Sequence, residues 1–146
     1  MTARGGRDGH VRVSEGILDL DLRVPEQMGG HGGATNPEPR FAAGDAACFE
    51  GTLCAVVRTG KVALTNAGVT AAITLNVTDD KRYALSVELR GNWAGHSDEN
   101  TSALMQAAHQ ICADPSAMRG NVDVQLLLET DTVPAALAAH SDGSNI

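Results

Sequence analysis

The sequence predicts an α+β fold, in which antiparallel strands pack against a long buried helix and a second helix. Three observations support this prediction. The apolar patterns follow the order βββαββαβ, few of the connections are long enough for a parallel crossover, and one Ala-rich stretch is apolar around most of its circumference. The chain of 146 residues fits one domain over residues 1–130, followed by a polar, Ala-rich tail over 131–146 that we expect to be loosely held.

The first apolar segment, residues 11–24, predicts two short antiparallel strands. Its apolar residues alternate in patches, and Gly16 supplies a turn between them. Pro25 ends the segment, and the Gly-rich stretch 27–34 that follows is typical of an irregular connector.

The next segment predicts a central helix from about Pro37 to Arg58. Thr35 or Asn36 is suited to cap its start, Pro37 suits the first helical position, and Glu38 favours the positive end of the helix dipole. Because apolar residues surround most of this helix, we expect it to be buried.

The second half of the chain predicts two strands, a helix and a last strand. Residues 79–80 form the turn between the first two strands, Ser97 or Asp98 caps the helix, and Asp114-Pro115 stops it. The predicted elements are strands 69–77 and 83–90, a helix over 98–112 and a strand over 121–128.

Composition and charge exclude several classes of function. The formal net charge is −7 and aromatic residues make up 3% of the chain, which argues against nucleic acid as a partner. The sequence contains no apolar run of the roughly 18 residues that a membrane span needs, and the first ten residues do not resemble a signal peptide. Three widely spaced cysteines do not form a secreted disulfide framework, so we expect a cytoplasmic protein.

The three cysteines are the strongest candidates for chemistry. Cys48 and Cys54 lie on the predicted central helix, about 9 Å apart along its axis and on different faces, too far apart for a disulfide. Cys112 closes the second helix, and folding can bring it against either of them. A buried cysteine often serves only as a small hydrophobic residue.

A reactive cysteine needs a positive charge beside it, because a buried thiol otherwise keeps its proton. An arginine held by a carboxylate is suited to this task, since it stays charged when desolvated. Arg7, Arg40 and Arg119 are candidates for the cation, and Glu38 is a candidate for the carboxylate. Arg7 lies in a Gly-rich loop from which its side chain could reach a thiol. The alternative interpretation is that Arg7 is only a solvent-exposed charge in a turn.

Six sequence blocks, in one order over residues 5 to about 128, resemble the organic hydroperoxide resistance (Ohr) branch of the Ohr/OsmC superfamily. The spacings from Glu38 to Cys48 and from Cys48 to Cys112 also match that family. The blocks are Gly5-Gly6-Arg7-Asp8-Gly9, Gly29-Gly30 with Thr35-Asn36-Pro37-Glu38, Phe41-Ala42-Ala43-Gly44, Ala46-Ala47-Cys48-Phe49, Ala108-His109-Gln110-Ile111-Cys112 and Arg119-Gly120-Asn121-Val122-Asp123-Val124.

The resemblance implies a peroxidase with a two-cysteine cycle. Cys48 would attack an organic hydroperoxide and become a sulfenic acid, and Cys112 would condense with it to a disulfide that a dihydrolipoyl group of a lipoylated protein reduces. Arg7 and Glu38 would activate the thiolate. The family also implies an interlaced homodimer with sites at its interface and no metal or organic cofactor. Within one straight helix Glu38 and Cys48 are about 15 Å apart, so they cannot be in contact directly. Three arrangements remain: the helix bends near Gly44, Arg7 bridges the two residues, or the second subunit supplies a group.

This sequence departs from the family at three positions near the thiols. Asp114 follows Cys112 closely and is expected to raise the pKa of that thiol. Asp45 stands where the family commonly has an aromatic residue, which puts the substrate pocket or dimer packing in doubt. Cys54 is not a family cysteine and is interpreted as core packing.

His109 is interpreted as a partly buried histidine with one hydrogen bond rather than a metal ligand or hydrolase base.

Three hypotheses therefore remain: the peroxidase, a thiol-sensing or ligand-binding member of the superfamily without turnover, and a more general OsmC-like detoxification protein. The Gly-Gly-Arg-Asp-Gly block with Arg7 favours the Ohr branch over the third. Met28, Phe41, Phe49 and Leu53 suggest an apolar lining, and therefore fatty-acyl or aryl hydroperoxides rather than hydrogen peroxide, although they suit an ordinary core equally well.

Overall fold

The computed structural model describes residues 1–62, 65–94 and 96–128, and the predicted tail over 131–146 lies outside these residues. The described chain divides into two compact units, one from Met1 to Ala42 and a second that begins at Ala43. The elements in chain order are β1 (Thr2–Arg4), β2 (His10–Arg12), β3 (Asp19–Asp21), α1 (Pro37–Gly60), β4 (Thr65–Val77), β5 (Tyr83–Ala94), α2 (Asp98–Ile111), α3 (Ala113–Met118) and β6 (Asp123–Leu128).

The first unit contains a three-stranded antiparallel sheet in the order β1-β2-β3. The predicted strand pair is present as β2 and β3, joined through a turn at Gly16, whose φ of 72° suits glycine. The predicted order included a third strand before the helix without bounds, and β1 is that strand. Val11 and Leu22 are the buried apolar side chains among the described residues of this unit.

Helix α1 begins at the predicted residue, because Pro37 occupies its first position and the Asn36 side chain accepts a hydrogen bond from the backbone N–H of Glu38 at 3.2 Å. It is buried less completely than the apolar composition predicts. In the single chain, burial follows one stripe at every fourth residue, as expected for one face of a helix. The stripe consists of Asp45, Phe49, Leu53 and Val57.

The second unit contains a three-stranded sheet in the order β4-β5-β6. Strands β4 and β5 pair antiparallel and extend further than predicted, while the predicted turn between them is confirmed by a hydrogen bond from Lys81 N to Thr78 O at 2.8 Å. Strand β6 pairs with β5 in parallel, with Val124 opposite Val87. The predicted α+β class is confirmed; among the described strands, β6 departs from the antiparallel arrangement that was expected, because α2 and α3 together form a crossover long enough for a parallel return.

Helix α2 begins with the predicted cap, since the Ser97 side chain accepts a hydrogen bond from Asn100 N at 3.3 Å. Asp114-Pro115 does not end the helical region. Instead α3 begins at Ala113, and Pro115 lies in its first turn, where a missing N–H disrupts no helical hydrogen bond. The structure therefore has three α-helices among its described residues where two were predicted.

The core of the second unit brings α1, β5, α2 and α3 together. Phe49 and Leu53 from α1 pack in one cluster with Leu89 of β5 and Met105 of α2, all fully buried. Gly91 is required here, since a Cβ at that position would lie 2.2 Å from the Trp93 ring. This packing holds the α2–α3 junction against α1.

The structure contains one chain, so the interlaced homodimer stays a prediction. None of the described helices is both long enough and apolar enough to cross a membrane.

Candidate active site

Cys48 and Cys112 come together in the second unit, and their Sγ atoms are 3.4 Å apart. Cys48 lies on α1 and is half-buried, while Cys112 is fully buried. Of the two partners that the sequence left open for Cys112, the structure therefore selects Cys48. Both are free thiols, and closing the gap to a disulfide length of about 2.05 Å needs only a small movement of the two side chains.

Cys112 is held by two helix ends at once. Its backbone N–H donates to Ala108 O at 2.8 Å, which completes α2, and its carbonyl accepts from Ser116 N at 3.2 Å, which starts α3. The residue itself is extended, with φ −65° and ψ 138°. The break between α2 and α3 thus fixes the direction in which this thiol leaves the backbone.

The surroundings of Cys48 keep its thiol protonated. Burial, followed by the hydrogen bond with Cys112, raises the pKa of Cys48 to about 11. The carboxylate of Asp114 further raises the pKa of Cys48, whereas the backbone N–H of Asp114 lowers it. Asp114, which was expected to act on the neighbouring Cys112, thus acts on the pKa of Cys48.

Arg7 and Glu38 form the second predicted pair, within the first unit. Arg7 donates through both terminal nitrogens, from Nη1 to Glu38 Oε2 at 2.8 Å and from Nη2 to Oε1. This side-by-side arrangement is the strong form of an arginine–carboxylate pair. The hydrogen bond from Arg7 lowers the pKa of Glu38, so the carboxylate stays charged.

The Gly-rich loop around Arg7 is a defined turn. Gly5 and Gly6 have φ values of 77° and 60°, and Gly6–Asp8 forms one turn of 3-10 helix. Arg7 is therefore an ion-paired side chain rather than the solvated turn charge that was the alternative.

The other predicted arginines are not part of either pair. Arg119 donates from Nη2 to the backbone carbonyl of His109 at 3.2 Å, and the Nε of Arg40 is buried without a hydrogen-bond partner among the described residues. The Nδ1 of His109 is likewise buried without a partner, so the single hydrogen bond predicted for its ring is not made at that atom. Burial lowers the pKa of His109.

Cys54 stands apart from the thiol pair. Its Sγ donates to Glu50 Oε1 at 3.0 Å, one turn earlier on α1. Burial, followed by the bond to Glu50, raises the pKa of Cys54 to about 11. A thiol held in this way is a poor nucleophile, which agrees with the absence of a redox role, but Cys54 is not one of the side chains that pack against the core cluster.

The proposed apolar lining divides into two parts. Phe49 and Leu53 are fully buried and belong to the core, which corrects the suggestion that they line a pocket. Phe41 and Met28 remain exposed, at 39% and 47% of their surface.

Asp45 was predicted only as a departure from an aromatic residue of the family, and its burial as an acid was not predicted. It is 1% exposed, and neither carboxylate oxygen has a hydrogen-bond partner among the described residues. Burial, followed by the charge of Asp114, raises the pKa of Asp45 to about 6. The available signal was the position of Asp45 on the apolar stripe of α1, one helical turn before Phe49 and two turns before Leu53.

The described His, Cys, Asp and Glu side chains were also compared with the arrangement that a metal site requires. Among residues 1–62, 65–94 and 96–128, no three His, Cys, Asp or Glu side chains lie where they could hold a metal ion together.

The chain is similar in sequence and in fold to several known proteins. The organic hydroperoxide resistance protein of Xanthomonas axonopodis pv. citri is 39% identical over 129 residues, which cover 87% of this chain and 90% of the relative. The crystal structure of an organic hydroperoxide resistance protein from Legionella pneumophila superposes with a TM-score of 0.83 at 43% identity, covering 88% of this chain and 94% of the other. That of Bacillus subtilis OhrB gives a TM-score of 0.79 at 37% identity, covering 88% and 95%. No protein-family model matches the chain.

Proposed function

Because the chain belongs to the organic hydroperoxide resistance family of the Ohr/OsmC superfamily, we propose that it is a thiol-dependent peroxidase that reduces organic hydroperoxides to alcohols. The single observation that carries this proposal is the 3.4 Å approach of two free thiols, Cys48 and Cys112. Two thiols at this distance on separate helices are arranged for reversible disulfide formation.

The proposed first half-reaction is attack of the Cys48 thiolate on the distal oxygen of the hydroperoxide. The S–O bond forms as the O–O bond breaks, and the departing alkoxide takes up the proton that the Cys48 thiol had released, so the sulfur is oxidised and the peroxide is reduced to an alcohol. Cys48 becomes a sulfenic acid.

In the proposed second half-reaction, Cys112 attacks the sulfur of that sulfenic acid. The S–S bond forms, the S–O bond breaks, and the hydroxyl group leaves as water with the proton of Cys112. An external dithiol then reduces the disulfide by thiol–disulfide exchange. Following the family resemblance, we propose that this reductant is the dihydrolipoyl group of a lipoylated protein, and that the chain uses no metal or organic cofactor of its own.

Arg7 and Glu38 are proposed to activate the Cys48 thiolate. Support comes from the pairing itself, in which Glu38 holds the guanidinium through two parallel hydrogen bonds and keeps it charged and oriented. Lysine cannot reproduce this planar geometry. Arg7→Lys is therefore expected to slow peroxide reduction by about tenfold or more, with Arg12→Lys as the matched control.

The proposed setting of this activity is a cytoplasmic homodimer. Support comes from the family and, for the hydroperoxide class, from the exposed apolar side chains Phe41 and Met28. Analytical ultracentrifugation tests the dimer. A comparison of cumene and linoleic hydroperoxides with hydrogen peroxide tests the substrate class.

The experiment that tests the proposal is hydroperoxide consumption with dihydrolipoamide as reductant. Wild type and Cys54→Ser are expected to turn over, Cys48→Ser to be inactive, and Cys112→Ser to consume one equivalent of peroxide and stop. Cys54→Ser is the matched control because its thiol lies on the same helix and outside the pair. Activity retained in Cys48→Ser would refute the proposal.

A thiol-sensing protein without turnover is the second candidate, favoured by the raised pKa of Cys48, about 11, which limits its thiolate fraction. A sensor would form the Cys48–Cys112 disulfide once and would not be recycled by dihydrolipoamide. Multiple turnovers in the assay above exclude it.

A further inference from the structure

The two thiols of the proposed redox pair differ in how far solvent can reach them. Cys112 is fully buried, whereas Cys48 on α1 is half-buried. The burial of Cys112 comes from its own chain, and the addition of a second subunit can only bury it further. Of the two sulfurs, that of Cys48 is therefore the one that a reagent from solvent can reach.

The burial of Cys112 is part of the core of the second unit. Its side chain belongs to the cluster that contains Phe49 and Met105. Its backbone is fixed at the junction of α2 and α3, where its N–H donates to Ala108 O at 2.8 Å and its carbonyl accepts from Ser116 N at 3.2 Å. Exposure of this sulfur would need the α2–α3 junction to separate from the core, which is a costly local unfolding.

We expect the difference in exposure to persist when the pair is oxidised. The two Sγ atoms are 3.4 Å apart and approach to about 2.05 Å in a disulfide. Because the backbone of Cys112 is fixed on both sides, most of this movement falls to the side chain of Cys48. Disulfide formation then leaves Cys112 on the core side of the bond and Cys48 on the solvent side.

Reduction of a disulfide by an external thiol depends on which of its two sulfurs is attacked. The attacking thiolate approaches one sulfur from the side opposite the S–S bond and expels the other, so both access and the leaving group matter. Access favours attack on Cys48. Attack on Cys112 would instead expel Cys48, and burial, followed by the hydrogen bond with Cys112, raises the pKa of Cys48 to about 11, which makes it a poor leaving group.

We propose that the external dithiol attacks the sulfur of Cys48, forms its mixed disulfide there, and expels Cys112 as the leaving group. This inference rests on the proposed peroxidase function. Cys48 then reacts twice in each cycle, first as a nucleophile toward the hydroperoxide and then as an electrophile toward the reductant. Cys112 reacts with Cys48 alone and meets neither external reactant.

The step balances with the dithiol as its co-reactant. One thiol of the dithiol loses its proton and attacks Cys48 Sγ, the new S–S bond forms as the Cys48–Cys112 bond breaks, and the departing Cys112 sulfur takes up that proton. The second thiol of the reductant then attacks the reductant's own sulfur in the mixed disulfide, and Cys48 leaves with its proton. Two electrons pass from the reductant, which becomes a cyclic disulfide, to the protein, which regains two thiols.

The experiment traps the first mixed disulfide on wild-type protein. The Cys48–Cys112 disulfide is formed with cumene hydroperoxide or, in a parallel sample, with diamide. 2-Mercaptoethanol, which lacks the second thiol that would release the protein, is then added briefly. Acid stops the exchange, and mass spectrometry of peptic peptides locates the adduct. Cys54 is the internal control, since its thiol bonds Glu50 outside the pair and should carry no adduct.

The adduct is expected on Cys48, with Cys112 as a free thiol, in about tenfold excess or more over the reverse. An adduct mainly on Cys112, or equal amounts on both, would overturn the proposal. If no adduct accumulates, alkylation of the reduced wild-type protein by N-ethylmaleimide decides. Cys112 is expected to react about 100-fold or more slowly in the folded protein than in urea, and protection of less than about tenfold would overturn the proposal.

Failure of the proposed function looks different. Cumene hydroperoxide would then leave the protein reduced, whereas the sample oxidised by diamide would still report which sulfur the thiol attacks.

Discussion

Glu38 and Asp45 lie on the same helix, α1, one in each compact unit, and the pKa values of the two acids are shifted in opposite directions. Glu38 receives two hydrogen bonds from Arg7, which lower its pKa. Asp45 receives none from the described residues, and burial followed by the charge of Asp114 raises its pKa to about 6. The presence of a paired cation thus decides which acid stays charged and which can exchange a proton near neutral pH.

The units also differ in their apolar packing. The second unit has a cluster of fully buried side chains from four elements, including Leu53 and Met105. Among the described residues of the first unit only Val11 and Leu22 are buried apolar side chains. We therefore expect the second unit to carry most of the stability, and changes in the two units to have unequal effects.

The largest expected effect is that of Leu53→Ala. Leu53 is fully buried in the cluster, so its truncation removes apolar contacts and leaves a cavity, lowering the free energy of unfolding by about 3 kcal/mol. Val11→Ala in the first unit removes less volume and should cost about 1 kcal/mol. Urea denaturation measures both, and equal losses would contradict the difference in packing.

The next effect concerns the pH dependence caused by Asp45. Its pKa in the folded state is about 6, above the ordinary value of 3.8, so the folded protein binds more protons than the unfolded chain between these values. Its contribution to stability is therefore present at low pH and is lost as pH rises through about 6. Between pH 5 and pH 8 this loss should amount to about 1 kcal/mol, and it should be absent in Asp45→Asn. Denaturation at pH 5 and pH 8 measures it; identical pH dependence in both proteins would contradict the assignment.

Glu38 should show the opposite sign. Because Arg7 lowers the pKa of Glu38, its stabilising contribution is present above about pH 4.5 and is lost as pH falls through the folded-state value. Glu38→Gln should remove this acid-side loss and cost about 1 kcal/mol at pH 7, since the pair is only partly buried. Stability curves between pH 3 and 7 test this. A larger loss on acidification in Glu38→Gln than in wild type would be inconsistent with the ion pair.

The smallest effect is expected at His10, on the exposed side of the first unit. His10 pairs with Asp19 at 2.6 Å and Asp21 at 3.0 Å, and the bond to Asp21 raises its pKa. Its contribution is present below the unfolded value of 6.5 and is lost as pH rises through the folded value. His10→Gln should lower Tm slightly at pH 5.5 and not at pH 8, and salt should weaken the difference. A similar change at both pH values would contradict the charge pairing.

The sequence predicted the local elements well because their signals are local. Asn36 and Pro37 fixed the start of α1, and Ser97 the start of α2. The direction of β6 was not predictable from its apolar pattern, because alternation is the same in a parallel and an antiparallel strand. The third helix was missed because Pro115 was read as a stop, although it lies in a first turn that accepts proline.

The site was predictable to the extent that motifs identify it. Arg7, Glu38, Cys48 and Cys112 were all named from the sequence, and the structure brings them together two by two. The choice of Cys48 over Cys54 as the partner of Cys112 needed tertiary structure. So did the role of Asp45, because its lack of hydrogen-bond partners depends on what packs around it rather than on its neighbours in sequence.

The central claim, that Cys48 and Cys112 form a peroxide-driven redox pair, is tested most directly by mass spectrometry of the reduced protein after one equivalent of cumene hydroperoxide. We expect the protein to lose two hydrogen atoms and to yield a cross-linked peptide containing Cys48 and Cys112, with Cys54 still free to be alkylated. A protein that stays fully reduced, or whose cross-link contains Cys54, would contradict it.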